Sequence, residues 1–215
     1  MQSIITVNDL SFELPNGRIL FKNLYFSLDT KLTALVGSNG VGKSCLARIL
    51  SGEISSTTGS VRASSSITIF HQREIAPDIS VSEYLGEDYS WIVLGEELLA
   101  NLDREKSCAS LSGGEWMRAR LARVLTDSYL ILDEPTNDLD REAREVLLNY
   151  LRRRRGGALL ISHDRECLQL CEEIFELTSH GLTKFGGSWN DFEESRSAER
   201  SRLENKLDSA KRDRD

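Results

Sequence analysis

A glycine-rich octapeptide, Gly37-Ser38-Asn39-Gly40-Val41-Gly42-Lys43-Ser44, stands between the apolar run Leu32-Thr33-Ala34-Leu35-Val36 and the helically spaced stretch Cys45-Leu46-Ala47-Arg48-Ile49-Leu50. Strand, loop and helix in that order restrict the fold more than any other feature of the chain. Glycine lets the backbone take positive φ, so several N–H groups turn toward one concave spot, and the N-terminus of the following helix adds its partial positive charge. Phosphate is the guest that suits such a spot. The spacing of glycine, four residues, glycine, lysine and serine is that of a phosphate loop. Lys43 is then placed to neutralise β/γ-phosphate oxygens, and the Ser44 hydroxyl to ligate Mg²⁺.

A second constellation follows the apolar run Tyr129-Leu130-Ile131-Leu132, which reads as a strand buried on both faces. Asp133 and Glu134 fall at its carboxyl end, where open α/β sheets bind ligands. Asp133 is expected to hold Mg²⁺, directly or through water. Glu134, pointing to the other side of the chain, is expected to reach a water in line with the γ-phosphate and to act as general base.

The rest of the chain alternates in the same way. Short runs at 4–7 and 10–14, with a Pro15-Asn16-Gly17 turn, suggest an antiparallel layer ahead of the loop. Strand patterns recur at 61–70 and 158–161, helical patterns at 45–50, 114–125 and 141–154, and a broken helical pattern at 78–106. Strands alternating with helices imply a mainly parallel sheet covered on both sides.

Composition narrows the function classes. With 215 residues the chain forms one large domain or at most two small ones, and 40% apolar residues suit a packed interior. A balance of 27 basic against 34 acidic residues, net −7, argues against a domain that coats nucleic acid through bulk charge. No window approaches the ~20 apolar residues of a membrane span. The N-terminus lacks the basic and apolar regions of a secretory signal, so the cytoplasm is the expected compartment. Cys45, Cys108, Cys167 and Cys171 form no Cys-x-x-Cys pair and are expected to be reduced.

Leu111-Ser112-Gly113-Gly114-Glu115, with 17 residues between it and Asp133, narrows the choice among nucleotide hydrolases. It resembles the signature of ATP-binding cassette (ABC) proteins. Gln72 looks like that family's Q-loop, Asn137-Asp138-Leu139-Asp140 its D-loop, and Ser162-His163-Asp164 its switch segment. All five motifs come in family order over residues 1 to about 190. Asp133-Glu134-Pro135-Thr136-Asn137-Asp138-Leu139-Asp140, Ser162-His163-Asp164-Arg165 and Phe185-Gly186-Gly187-Ser188-Trp189-Asn190-Asp191-Phe192 resemble the translation-associated ABC-F subfamily, although Asp138 replaces a histidine.

The resemblance implies an α/β P-loop ATPase fold with a mainly parallel core sheet, an N-terminal antiparallel layer and a helical subdomain at about 73–125. It implies hydrolysis of ATP to ADP and phosphate in a composite site. Lys43, Gln72, Glu134 and His163 are the expected catalytic residues, and Ser44, Gln72 and Asp133 the metal-facing ones. Gly37, Ser38, Asn39, Gly40, Val41, Gly42, Lys43, Ser44 and Cys45 would cradle the nucleotide of their own cassette. Ser112, Gly113, Gly114, Glu115 and Asp140 would serve the partner's nucleotide.

Two cassettes pair head to tail in this family, within one chain or as a homodimer, so ATP-driven closure is the expected mechanical output. The ribosome or its RNA is the expected client, and a membrane-transporter permease, bound through the groove beside Gln72, is the alternative. Cys45 stands where threonine is usual, and Leu14 where an adenine-stacking aromatic is usual, with Phe12 on the same strand face as a substitute. The 38 residues of 73–110 are fewer than the resemblance leads one to expect, so an arm insertion is expected to be missing.

Charged residues make up 15 of residues 191–215, eight acidic and seven basic, with Leu203, Leu207 and Ala210 on one helical stripe. This resembles the start of the ABC-F inter-cassette linker and suggests a chain cut inside it. Arg152-Arg153-Arg154-Arg155 reads as a solvated helix end that suits the dipole, or as a grip on rRNA phosphates. Cys167 and Cys171, four apart on a helix, read as core rather than metal ligands, and Trp91 and Trp116 as packing residues. His71 and His180 carry no pattern.

Overall fold

The structure is a computed structural model and describes residues 4–86 and 96–212. In chain order the elements are β1 (Ile5–Glu13), β2 (Ile19–Leu28), β3 (Leu32–Val36), α1 (Lys43–Leu50), β4 (Thr58–Ala63), β5 (Ile67–Phe70), α2 (Val81–Leu85), α3 (Gly113–Val124), β6 (Tyr129–Asp133), α4 (Arg141–Arg153), β7 (Ala158–Ile161), α5 (Arg165–Leu168), β8 (Glu173–Thr178), β9 (Gly181–Gly186) and α6 (Trp189–Arg212).

The central sheet has the order β5-β6-β7-β3-β8-β9. Its first five strands are parallel, and β9 closes the edge as an antiparallel hairpin on β8. Side-chain alternation buries both faces. Tyr129, Ile131, Leu159, Ile161 and Leu35 pack on α1 and on the second sheet, β2-β1-β4, through Ile5, Val7 and Leu10. Leu130, Leu132, Leu160, Ala34 and Ile174 face the opposite core with Leu121 of α3, Leu147 of α4 and Cys167 of α5. Each fully buried leucine stabilises the fold by about 2 kcal/mol relative to an exposed one. The continuous apolar runs of the sequence are thus central strands between two cores.

This strand order positions the chemistry. The loop leaves the end of β3, Gln72 follows β5, Asp133 ends β6 and His163 follows β7, so all four lie at the carboxyl edge of one sheet.

Two elements differ from the sequence reading, and the helix expected over the charged tail starts two residues earlier than 191. The runs at 4–7 and 10–14 are one strand, β1, because the Asn8-Asp9 break is absorbed as a bulge. Asp9 takes φ +52, and its carboxylate accepts from the Asn23 amide at 2.7 Å. The helical pattern over 78–106 resolves into α2, capped by Ser80, and one turn at 96–98; Trp91 and Leu94 lie outside the described residues. The charged tail is helical from Trp189, where Ser188 and Asp191 cap each other. Phe192 anchors it at 5.1 Å from Phe185 and 5.2 Å from Trp189. The side chains of Leu203, Leu207 and Ala210 lie outside the described residues.

Candidate functional site

Gly37 and Gly42 show why the loop needs glycine. Gly37 takes φ +148, and a Cβ there would come 2.2 Å from the Leu177 carbonyl oxygen of β8. Gly42 takes φ +112, with Leu20 Cβ 3.2 Å from where its own Cβ would be. The loop is therefore pressed between β8 and the β1–β2 hairpin. Gly42 caps α1 without a side-chain acceptor, and the first turn of the helix holds no acid. Its leading amides and dipole are left for an anion. Lys43 Nζ folds back over the loop and donates to the carbonyls of Gly37 at 2.8 Å and Ser38 at 3.2 Å. Burial draws the Lys43 ammonium below its ordinary pKa, against the opposing pull of Glu134 and Asp133.

Asp133 and Glu134 are 5% and 8% exposed, unusual for adjacent carboxylates. Burial pushes both carboxyl groups up. A hydrogen bond from Ser44 and the charge of Lys43 oppose the rise at Asp133, and His163 opposes it at Glu134. Strand alternation would send Glu134 away from Asp133. Instead Glu134 takes φ +51, its N–H donates to the Ile161 carbonyl at 2.7 Å, and both carboxylates line one cleft. The β6 pleat ends at Asp133, so the period-two argument no longer applies at the next residue. His163 Nε2 lies 3.4 Å from Glu134 Oε1, with the imidazole 69% exposed.

The cleft, about 670 Å³, is lined by Asn39, Gly40, Gly42, Lys43, Ser44, Cys45, Gln72, Asp133, Glu134, Asn137 and His163, with Leu14, Arg18 and Leu20 from the β1–β2 hairpin. Phe12 is absent from this lining and stacks on Phe21 at 6.0 Å instead. The register shifts on either side of Phe12 break the parity that put it beside Leu14. Arg18, which sequence reasoning missed, donates Nη2 to the Gly40 carbonyl at 3.2 Å. Its only signal was the Pro15-Asn16-Gly17 turn just before it. Arg144 was missed as well. Its guanidinium grips both oxygens of Asp164 at 2.8 Å and holds that carboxyl below its ordinary pKa, fixing the residue after His163.

Ser112, Gly113, Gly114, Glu115 and Asp140 lie outside this cleft. Ser112 caps α3 in a reciprocal box. Its Oγ accepts from the Glu115 N–H at 3.3 Å, and Glu115 Oε2 accepts from the Ser112 N–H at 2.8 Å and hydroxyl at 2.7 Å. Asp140 caps α4, accepting from the Ala143 N–H at 2.8 Å, and pairs with Arg118 at 3.2 Å.

Other sequence candidates sort by contact. Cys167 and Cys171 are core thiols. Arg154 is half-buried, with donors on the carbonyls of Thr126, Ser128 and Gly157, so the arginine run is not a uniformly solvated helix end. Trp116 packs on Tyr84 at 4.8 Å. His71 Nε2 meets Glu53 at 2.8 Å.

The fold and site define an α/β ATPase cassette of the P-loop type. Residues 21–137 match the ABC transporter family, and the chain belongs to it. It is 34% identical over 203 residues to ATP-binding cassette sub-family F member 2 of Mus musculus, covering 86% of this chain and 32% of that protein. It is 30% identical over 210 residues to the energy-dependent translational throttle protein EttA of Haemophilus influenzae, covering 87% and 35%. The chain thus spans about a third of the length of these F-subfamily relatives. The solved dimeric structure of an ATP-binding cassette in a post-hydrolysis state, bound to ADP and Pi, superposes with TM-score 0.74 at 17% identity, over 85% of this chain and 98% of that one. That likeness bears on fold alone. Among the described residues no helix is long and apolar enough to cross a membrane.

Proposed function

We propose that the cleft binds ATP with Mg²⁺ and hydrolyses it to ADP and phosphate when a second cassette closes over it. The observation that carries this reading is the convergence of the uncapped α1 start, Lys43 and two buried carboxylates on one cleft. The amides of Gly37, Ser38, Asn39, Gly40, Val41, Gly42, Lys43, Ser44 and Cys45 are the phosphate donors, and Lys43 exchanges the loop carbonyls for β/γ-phosphate oxygens. The Ser44 hydroxyl, the Gln72 amide oxygen and the Asp133 carboxylate are hard oxygen donors that suit Mg²⁺. A cation would also relieve the charge that burial disfavours at Asp133. Among the described residues no cluster of three His, Cys, Asp or Glu forms a metal cage. Substrate phosphates would complete the coordination, as is usual for Mg²⁺, which when bound neutralises charge on the β/γ oxygens. Glu134 takes a proton from water as its oxygen attacks the γ-phosphorus and the bond to the β-phosphate oxygen breaks. His163 holds the Glu134 carboxylate in place.

Ser112, Gly113, Gly114, Glu115 and Asp140 serve the nucleotide of the partner cassette, in the same full-length chain or in a second copy. Their place outside their own cleft supports that division. Residues 1–190 form the cassette, with its helical subdomain at about 73–125, and 191–215 begin the linker to the next cassette. The similarity to the translational throttle protein supports a cytoplasmic, ABC-F-type role on the ribosome. A transporter subunit is the second reading, favoured by Ile75, which is 94% exposed beside a groove of about 400 Å³ next to Gln72. Co-sedimentation of the full-length protein separates the two. Ribosome pelleting that depends on ATP and strengthens in Glu134→Gln supports the first; retention by a permease without ribosome binding overturns it.

A further inference from the structure

Arg120 lies in the middle of α3, the helix that Ser112 caps, and is 3% exposed. A guanidinium so far from water must find partners for its donors. Nη1 points at Met117 Sδ of α3 itself, at 3.8 Å, and the other partners come from the segment after β5. Nη2 donates to the His71 carbonyl at 2.5 Å and Nε to Glu74 Oε2 at 3.0 Å, and the guanidinium carbon lies 4.4 Å from the centre of the Phe70 ring. Trp116, one turn earlier on α3, donates from Nε1 to the Glu74 carbonyl at 3.1 Å. The Tyr84 hydroxyl of α2 donates to the other Glu74 oxygen at 3.0 Å. Gln72 sits between His71 and Glu74, the two residues so gripped. It lines the nucleotide cleft and also borders a groove that contains Gly113 of the α3 cap.

We propose that Arg120 is a positioning residue that locks Gln72 to α3, so that a displacement of Gln72 by nucleotide in its own cleft moves the serine-glycine cap that faces the partner's nucleotide. The inference rests on the reading above that ATP occupies the cleft. Stability alone gives little reason for a buried guanidinium here, since an apolar side chain of similar volume is often as good or better. The fork geometry does give one, because a single planar group can hold a backbone carbonyl and a carboxylate at once.

The test uses Trp116 as the only indole, in the full chain carrying Trp91→Phe and Trp189→Phe. With Arg120 present, MgATP is expected to shift Trp116 emission. In Arg120→Met, ATP affinity by equilibrium dialysis stays within about threefold, while the emission shift falls about fivefold or more and kcat about tenfold at unchanged KM. Arg120→Lys, with charge but no fork, restores part of both. A full emission shift at full kcat in Arg120→Met overturns the proposal, as does loss of ATP affinity in step with kcat. Should Arg120→Met be recovered unfolded, Arg120→Lys decides: a diminished shift supports the coupling and an unchanged one overturns it. Absence of any MgATP binding by the unaltered chain overturns the nucleotide reading itself, and the coupling with it.

Discussion

Replacing Glu134 by glutamine isolates the proposed base from everything else in the cleft. Glutamine keeps the length of the side chain and a polar atom for His163, which stands 3.4 Å from the carboxylate. It keeps the backbone contact to the Ile161 carbonyl at 2.7 Å, which does not depend on the side chain. What disappears is the ability to take a proton. A positioned general base contributes about 10²–10⁴ in rate, so kcat should fall by about a thousandfold, or about 4 kcal/mol of barrier. Phosphate release at saturating MgATP, with a second cassette present, measures this, and equilibrium dialysis measures binding separately. Affinity should be kept or improved, because burial already disfavours the charge being removed. The pH dependence gives an independent reading. The raised carboxyl pKa places the acidic limb of kcat above the ordinary glutamate range, with rate lost as pH falls through it, and that limb should vanish in Glu134→Gln. A kcat within threefold of the unaltered protein, or a loss of affinity that matches the loss of rate, would refute the assignment.

Asp133→Asn should raise the melting temperature of the nucleotide-free protein at pH 7 while removing the Mg²⁺ dependence of ATP binding. A carboxyl whose folded pKa is raised gives up stability as pH rises through that value, so the advantage of asparagine should close as pH falls below the ordinary aspartate range. Gly37→Ala combines φ +148 with a 2.2 Å approach to a backbone carbonyl and should destabilise by about 3 kcal/mol, whereas Gly40→Ala, at φ +74 with open space around it, should cost about 1 kcal/mol in denaturant unfolding. Native alkylation should label Cys45 alone, with MgATP protecting it. Cys108 is fully buried, and burial pushes the Cys167 and Cys171 thiols up to about 12.

What could be read in the sequence was whatever short-range pattern encodes. The runs 32–36, 129–132 and 158–161 announce two-sided burial because every position is apolar, and β3, β6 and β7 stand at the centre of the sheet accordingly. The loop, both acids, Gln72 and His163 were legible because each follows a strand, and parallel topology brings strand ends to one edge. Alternation describes β6 only as far as Asp133; at Glu134 the strand has ended and φ +51 turns the chain back. Arg18, Arg120 and Arg144 were not legible. An arginine reads as surface until the fold supplies a carbonyl or carboxylate for each donor, and their partners His71, Glu74 and Gly40 lie 22 to 49 residues away, with Asp164 at a separation of 20. Phe12 was misplaced because bulges change parity and leave no reliable trace in composition.

The two half-sites share a property that bears on how the clamp works. Lys43 already spends its donors on the Gly37 and Ser38 carbonyls, and the Ser112 N–H and hydroxyl already meet the Glu115 carboxylate, which Ser112 holds below its ordinary pKa. Lys43 and Ser112 are thus already partnered, whereas the first turn of α1 has no side-chain cap. On the proposed reading, arrival of a triphosphate exchanges internal hydrogen bonds for new ones. An exchange of this kind contributes only about 1 kcal/mol net per bond, although each bond alone is several times stronger. Closure then depends on several small gains collected at once, from the loop of one cassette and the capped helix of the other. The reciprocal cap also stabilises the start of α3 by itself, by about 1 kcal/mol relative to an uncapped helix.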